Sequence, residues 1–234
     1  MSLILGIDTS STDLGIGLSD GTKRCAAFSR FVGNSHAETI ADAVSLTLAS
    51  CGRSPREVTH LAISCGPGSF TGLRIGIAFA KGFCLGTAVG VLPLSSLYIL
   101  AHGGLKSGGS IVAAIDARRD EVFWARFRPT PEGIVRLTDD CRSGAAEFRE
   151  ALHDDDTIVT DTMGYAKSSV FVFLGDRAQV FPVERYPLQR GLHCAEAGAL
   201  ALACGRADTA LWQDPSAVLP RYHRDFAPPA GYAR

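Results

Sequence analysis

The chain carries one short unit twice: an apolar run ending in aspartate, a polar turn, and a second apolar run. The first copy is Leu3-Ile-Leu-Gly-Ile7, then Asp8, the turn through Asp13, and Leu14-Gly-Ile-Gly-Leu18. The second is Ile111-Val-Ala-Ala-Ile115, then Asp116, the turn Ala117-Arg-Arg-Asp-Glu121, and Val122-Phe-Trp-Ala-Arg-Phe127. Short apolar runs bounded by turn residues read as buried strands. A single such unit is common. Two of them in 234 residues predict an internally duplicated α/β chain of two related lobes. Gly103, Gly104, Gly108 and Gly109 lie between the copies and mark the expected division, 1–104 and 105–234. The end of the chain is expected to pack back on the first lobe.

Between the strand units the pattern turns helical. Ala37, Ile40, Ala41, Val44 and Leu48 recur at helical spacing to Ser50, with Ser35 and Glu38 placed for a capping box. Val58–Ser64 reads as a strand, Cys65–Gly72 as a tight loop, and a helix opened by Ser69 or Thr71 runs to about Gly86. Val89–Leu92 is a further strand and Leu97–His102 a helix capped by Ser95 or Ser96. Later elements are a helix over Gly144–His153, strands over Thr157–Asp161 and Gln179–Val183, a helix over Cys194–Arg206, and an extended tail, Leu219–Arg224.

Hydrophobic residues make up 46% of the chain, enough for a packed core. The net charge of −1 excludes a globally basic nucleic-acid binder. The seven cysteines form no C-x-x-C pair, which argues against a zinc ribbon or a disulfide framework. They are expected as scattered thiols in a reducing cytoplasm. Met1–Asp8 has no basic n-region, so no signal peptide is expected. The uncharged run from Gly82 to Leu105 is long enough to span a bilayer, but Pro93, serines and glycines break it into helix end, strand and new helix.

The candidate chemical motifs are incomplete. Gly66-Pro-Gly-Ser-Phe-Thr71 sits between a strand and a helix, but the acid that a dinucleotide ribose requires is missing: Val58 through Ile115 holds no Asp or Glu. Leu73-Arg74 replaces the Lys-Ser/Thr of a P-loop. The loop therefore reads as a tight turn, with anion binding at the helix start as the alternative. Asp8, Thr9, Ser10 and Asp116 sit at strand ends, where such groups either hold magnesium and phosphate or cap their own turns. His36 lacks a second histidine one helical turn on, because that position is Ile40, so no metal site is assigned. The helix after the glycine loop is apolar on nearly every face, as a core helix or a partner-binding helix would be.

Specific segments resemble the TsaB (YeaZ-like) family. They are Leu5-Gly-Ile-Asp-Thr-Ser10, Ser35-His36-Ala-Glu38, Ile63-Ser-Cys-Gly-Pro-Gly-Ser-Phe-Thr-Gly-Leu-Arg-Ile-Gly-Ile-Ala78 with Lys81-Gly82, Leu94-Ser-Ser-Leu97, Ala114–Val122, and Pro220-x-Tyr222-x-Arg224. The match is dense over 1–128 and thin over 129–215. The resemblance implies a two-lobed actin-like fold of the ASKHA, ribonuclease-H-like duplicated type. It also implies a non-catalytic scaffold or activator role in transferring threonylcarbamoyl to adenosine 37 of ANN-decoding tRNAs. The implied partners are a catalytic TsaD-like paralogue and a TsaE-like ATPase, with tRNA reached through the complex; homodimer and monomer are both left open for the chain alone. No membrane contact and no cofactor of its own are expected; ATP or ADP at the complex interface is left open.

The implied partner surface is the pair of helices over about Ser35–Ser50 and Ser69–Gly86, through His36, Glu38, Ile40, Phe70, Arg74, Ile77, Phe79, Ala80 and Lys81. On that reading Ile77→Glu breaks association and leaves a folded monomer. No catalytic residue is assigned. The rival readings are an actin-like ATP-dependent kinase or ATPase, built on Asp8 and the turn after it, and a metal-dependent peptidase.

Overall fold

The computed structural model describes residues 2–21, 23–104, 109–131, 133–160, 181–182, 190–204 and 215–222. Strands β1 (Leu3–Asp8), β2 (Asp13–Asp20) and β3 (Lys23–Phe31) form an antiparallel meander. Helix α1 (His36–Ser50) leads to β4 (His60–Ser64), parallel to β1, and α2 (Phe70–Cys84) leads to β5 (Gly90–Leu94), parallel to β4. The sheet order is β3-β2-β1-β4-β5.

Helix α3 (Ser96–Ala101) precedes the second sheet, made of β6 (Ile111–Arg118), β7 (Glu121–Thr130), β8 (Gly133–Arg136), β9 (Cys141–Gly144), β10 (Thr157–Thr160) and β11 (Phe181–Pro182). Helix α4 (Ala145–Ala151) lies between β9 and β10. The order is β11-β10-β6-β7-β8, with β9 paired to β7. Read as β8-β7-β6-β10-β11, it matches the first sheet strand for strand, antiparallel pairs first and parallel pairs after. The duplicated unit is thus the start of a duplicated topology.

The pleat alternates side chains across the first sheet. Leu3, Leu5 and Ile7 pack with Ile40, Val44 and Leu48 of α1 and with Ile77 and Ala80 of α2. Ile4 points the other way, joining Ala62 and Leu92 against Cys194, Ala195 and Ala197 of helix α5 (Arg190–Cys204). The first sheet is therefore covered on both faces. In the second sheet, Leu97 and Leu100 of α3 pack on one face and Phe148 of α4 on the other. Ile99 of α3 belongs to the α5 cluster, so α3 ties the two sheets together.

Four glycines set the seat of α5. A Cβ on Gly17 would stand 2.4 Å from Leu192 N, and one on Gly6 would stand 2.3 Å from Ala195 N. A Cβ on Gly15 would meet Gly191 N at 2.8 Å, and one on Gly191 would meet Ile16 N at 2.4 Å. Helix backbone rests directly on strand backbone, an approach that any side chain would prevent.

Several sequence expectations shift. Helix α5 begins at Arg190, not at Cys194, and its expected end at Arg206 lies outside the described residues. Strands β8 and β9 are additional, too short to give a period. The capping box at Ser35 is absent: Ser35 Oγ donates to Val32 O at 2.7 Å and makes no cap bond to α1. Ser69 and Ser95 do cap α2 and α3, accepting from Gly72 N and Tyr98 N. The uncharged run is divided among the end of α2, β5 and α3, and no helix of the described residues is long and apolar enough to cross a membrane. Gly108 and most of the expected strand at Gln179–Val183 lie outside the described residues.

The seat of α5 makes a prediction. Gly191→Ala should cost about 2–3 kcal/mol of unfolding free energy, as overpacking does. Gly82→Ala, on an exposed helix position with open space around it, should gain up to about 1 kcal/mol. Urea denaturation of both variants checks the contrast; equal effects would contradict it.

Candidate functional site

The end of β1 gathers the most polar part of the core. Asp8 is buried. Its Oδ1 accepts the Ser10 N–H at 2.8 Å, and its Oδ2 accepts Arg190 Nε at 2.6 Å. Arg190 Nη2 also donates to Ser10 Oγ at 2.7 Å. Thr9 N donates to Ser64 Oγ at 3.2 Å, and Ser10 O accepts Ser69 N at 2.7 Å. The turn is held by the ends of β1 and β4, the glycine loop and the first residue of α5.

The glycine loop serves that packing. Gly66 adopts φ +115°, a conformation side chains rarely take. A Cβ on Gly68 would stand 2.3 Å from Ser10 O, on Gly72 2.1 Å from Thr9 O, and on Gly76 2.3 Å from Thr9 Oγ1. The loop and the first turns of α2 lie flush on the Thr9–Ser10 backbone. The Ser69 and Gly72 amides are spent on Ser10 O and Ser69 Oγ. This is the tight-turn reading of the motif.

Burial alone would push the Asp8 carboxyl up. The Arg190 charge and hydrogen bonds from Ser10 and Ser64 outweigh it and hold the group below its ordinary value of 3.8. Burial pushes the Cys65 thiol up to about 12 and the Cys84 thiol up to about 11, so neither supplies a thiolate near neutral pH. His102 and His193, whose rings stack 6.2 Å apart beside α3 and α5, are pushed down by burial to about 4 and about 3.

Asp116 repeats the role of Asp8 at the end of the second unit. Its Oδ1 accepts the N–H two residues on, Arg118 N, at 2.6 Å, as Asp8 accepts Ser10 N. Arg118, Arg119 and Asp120 then turn with φ between +58° and +65°. Both strand-end aspartates order their own turns, and among the described residues only Asp8 takes a buried arginine from another element.

The histidine reading is likewise structural. His36 is buried at the start of α1, Glu38 is exposed, and Ile40 lies in the core where a second ligand would stand. One histidine–carboxylate cluster among the described residues brings three candidate ligand atoms within 4.8 Å of one another: His153, Asp155 and Asp156. Asp156 there is committed to Arg126, which approaches its Oδ2 at 2.7 Å, and to His153 N at 2.7 Å.

The expected partner residues divide. Ile40, Ile77 and Ala80 are buried among the chain's own core residues, and Phe79 packs against that core beside Phe83. Ile77→Glu would thus place a carboxylate in the core and unfold the chain, not dissociate it. Phe70 and Arg74 are exposed, yet they are bound to the tail. Arg74 lies 3.8 Å over the Phe70 ring and its Nε donates to Tyr222 Oη at 2.8 Å, while the Phe70 and Tyr222 rings sit 4.9 Å apart. Lys81 Nζ donates to Ser216 O at 3.1 Å, Arg221 N donates to Cys65 O at 2.7 Å, and Val218 is buried in the first core. The described tail residues return to the first lobe, as expected from the sequence, but the particular contacts of Tyr222 and Ser216, and Arg190, were not read there; no periodicity links residues so far apart in the chain.

The duplicated β3-β2-β1-β4-β5 unit defines an actin-like fold of the ASKHA type. A family described as tRNA N6-adenosine threonylcarbamoyltransferase, TsaD, matches residues 30–202. The chain is similar to the tRNA threonylcarbamoyladenosine biosynthesis protein TsaB of Escherichia coli, 37% identical over 56% of this chain and 57% of that protein. It is similar to the protein of the same description from Bacillus subtilis, 30% identical over 65% of this chain and 67% of that one. The first match thus spans little more than half of the relative's length. Among solved structures, YeaZ from Pseudomonas aeruginosa superposes with a TM-score of 0.73 at 25% identity, covering 95% of this chain and all of that one. The chain belongs to the TsaB (YeaZ-like) family.

The buried pair predicts the acid response. The histidines are neutral when folded, so the stability they carry is lost as pH falls from about 6.5 toward about 4 for His102 and about 3 for His193. The depressed Asp8 pKa gives stability present above about pH 4 and lost as pH falls further through the folded value. Asp8→Asn should cost about 3–5 kcal/mol at pH 7, as breaking a buried pair does. It should flatten the limb below about pH 4, where the Asp8 contribution is lost. Denaturation across pH 3–8 checks both; an unchanged acid limb would contradict the assignment.

Proposed function

We propose that the chain is a non-catalytic scaffold subunit in the transfer of threonylcarbamoyl to adenosine 37 of tRNAs that read ANN codons, and that it acts by pairing with a catalytic TsaD-type paralogue. The supporting observation is the outer surface of the adjacent helices α1 and α2. On α2 the exposed positions are Phe70, Thr71, Arg74, Ala78 and Gly82, and the single charge among them, Arg74, is already held by Tyr222. On α1 the small residues Ala37, Ala41 and Ser45 are exposed, with Leu46 at 60%. Such surfaces let a second helix pair approach closely. The names of the Escherichia coli and Bacillus subtilis relatives supply the pathway.

On this reading the partner face is carried by Ala37, Ala41, Phe70, Arg74 and Ala78, while Ile40, Ile77 and Ala80 support it from beneath. The lobes divide near residue 104, with α5 and the 215–222 strap returning to the first sheet. A TsaE-type ATPase completes the assembly in the cytoplasm. Two copies pair through the same face when the paralogue is absent. With a net charge of −1 the chain leaves tRNA binding mainly to its partners. The engagement of Asp8 by Arg190 counts against a kinase or ATPase built on the β1–β2 turn, and Ile40 in the core counts against a peptidase.

Ala78→Glu tests the face. The position is exposed, so the variant should remain folded at near wild-type stability. Its affinity for the paralogue, measured by titration calorimetry, should fall at least about tenfold, because a charge is placed in an apolar contact. Wild-type affinity would refute the assignment.

A further inference from the structure

Charge on the outer face of α1 and α2 is sorted by helix. Helix α1 exposes two acids, Glu38 and Asp42, one turn apart, and contains no Lys or Arg. Helix α2 contains two bases, Arg74 and Lys81, and no Asp or Glu. The helices are neighbours through Ile40 and Ile77 in one core. Yet among the described residues none of these four charges takes part in a salt bridge.

Both bases are held by the strap at 215–222 instead. Lys81 Nζ donates to Ser216 O at 3.1 Å, and Arg74 Nε donates to Tyr222 Oη at 2.8 Å. The Arg74 guanidinium lies 3.8 Å over the Phe70 ring and 5.8 Å from the Tyr222 ring. Its Nη1 and Nη2 donate to no described residue. Arg74 and Lys81 stand two turns apart, about 10 Å along one edge of α2. Fixing long basic side chains removes their rotamer freedom before a partner arrives.

We infer that the strap sets Arg74 and Lys81 as a two-point cationic edge whose occupant is an acidic helix edge of the catalytic paralogue, with a carboxylate on the open fork of Arg74. This rests on the scaffold reading and adds the charge that the partner presents. Tyr222 is the positioning residue for Arg74. A guanidinium fork matches a carboxylate or a phosphate. Glu38 and Asp42 on the adjacent helix would repel the phosphates of a nucleic acid, so the occupant is a protein surface with acids opposite α2.

The test is titration calorimetry of the full chain against the full-length paralogue at about 0.05 M and about 0.3 M salt, which differ in screening. Wild-type affinity should fall with salt. Arg74→Gln should bind at least about tenfold more weakly at low salt and lose most of the salt dependence. Tyr222→Phe keeps the ring and removes the hydroxyl; it should bind about threefold more weakly. In an Arg74→Gln background it should cost nothing further. Wild-type affinity in Arg74→Gln overturns the proposal, and so does a loss that leaves the salt dependence unchanged. A Tyr222→Phe loss that persists in full in the double variant overturns the positioning role. If Arg74→Gln abolishes only self-association, the occupant is a second copy; if it weakens only tRNA binding by the preformed pair, the occupant is nucleic acid. Either result overturns the proposal. Ala78→Glu separates it from the scaffold reading: if Ala78→Glu weakens binding and Arg74→Gln does not, the face stands and the cationic edge falls. If neither weakens binding, both fall.

Discussion

The ion pair between Arg190 and Asp8 joins the last described helix to the first strand, and the polar end of the first lobe is organised around it. Burial of a lone carboxylate at that depth would be strongly unfavourable. The pair is feasible because both groups are also hydrogen-bonded, Asp8 by Ser10 N and Arg190 by Ser10 Oγ. It is geometrically permitted because glycines at 6, 15, 17 and 191 bring α5 into backbone contact with the sheet. Charge and close packing therefore depend on each other: a side chain at any of these glycines would lift Arg190 away from Asp8.

The two lobes show what duplication keeps and what it releases. Both keep the strand order and the strand-end aspartate that binds the amide two residues on. The first turn is buried under α5, the glycine loop and α2. In the second, Arg118 and Arg119 are exposed. The first lobe has thus spent its turn on internal packing, while the outer surfaces of α1 and α2 stay exposed. Along one edge of α2 the strap at 215–222 adds Tyr222 to Phe70 and Arg74, so the tail and the helix present a joint surface.

Much of the fold was legible in the sequence because its signals are local. The apolar runs ending in Asp8 and Asp116, the helical spacing of Ile40, Val44 and Leu48, and the hydroxyls of Ser69 and Ser95 each act within a few residues. The site was less legible. Arg190 sits next to a glycine in a stretch with no strong period, and its partner is at the other end of the chain. The outward face of α2 was misjudged at Ile77 and Ala80 because a helix apolar all round has no sequence signal for which side meets its own sheet. The capping box at Ser35 failed because the serine hydroxyl found Val32 O instead.

The central claim, that the chain serves threonylcarbamoylation of tRNA, is tested most directly by nucleoside mass spectrometry of tRNA from its own cells after depletion. The account predicts that threonylcarbamoyladenosine falls on depletion, returns with the wild-type chain, and fails to return with Ala78→Glu at equal protein level. An unchanged level of the modified nucleoside on depletion, in cells with no second copy, would contradict it.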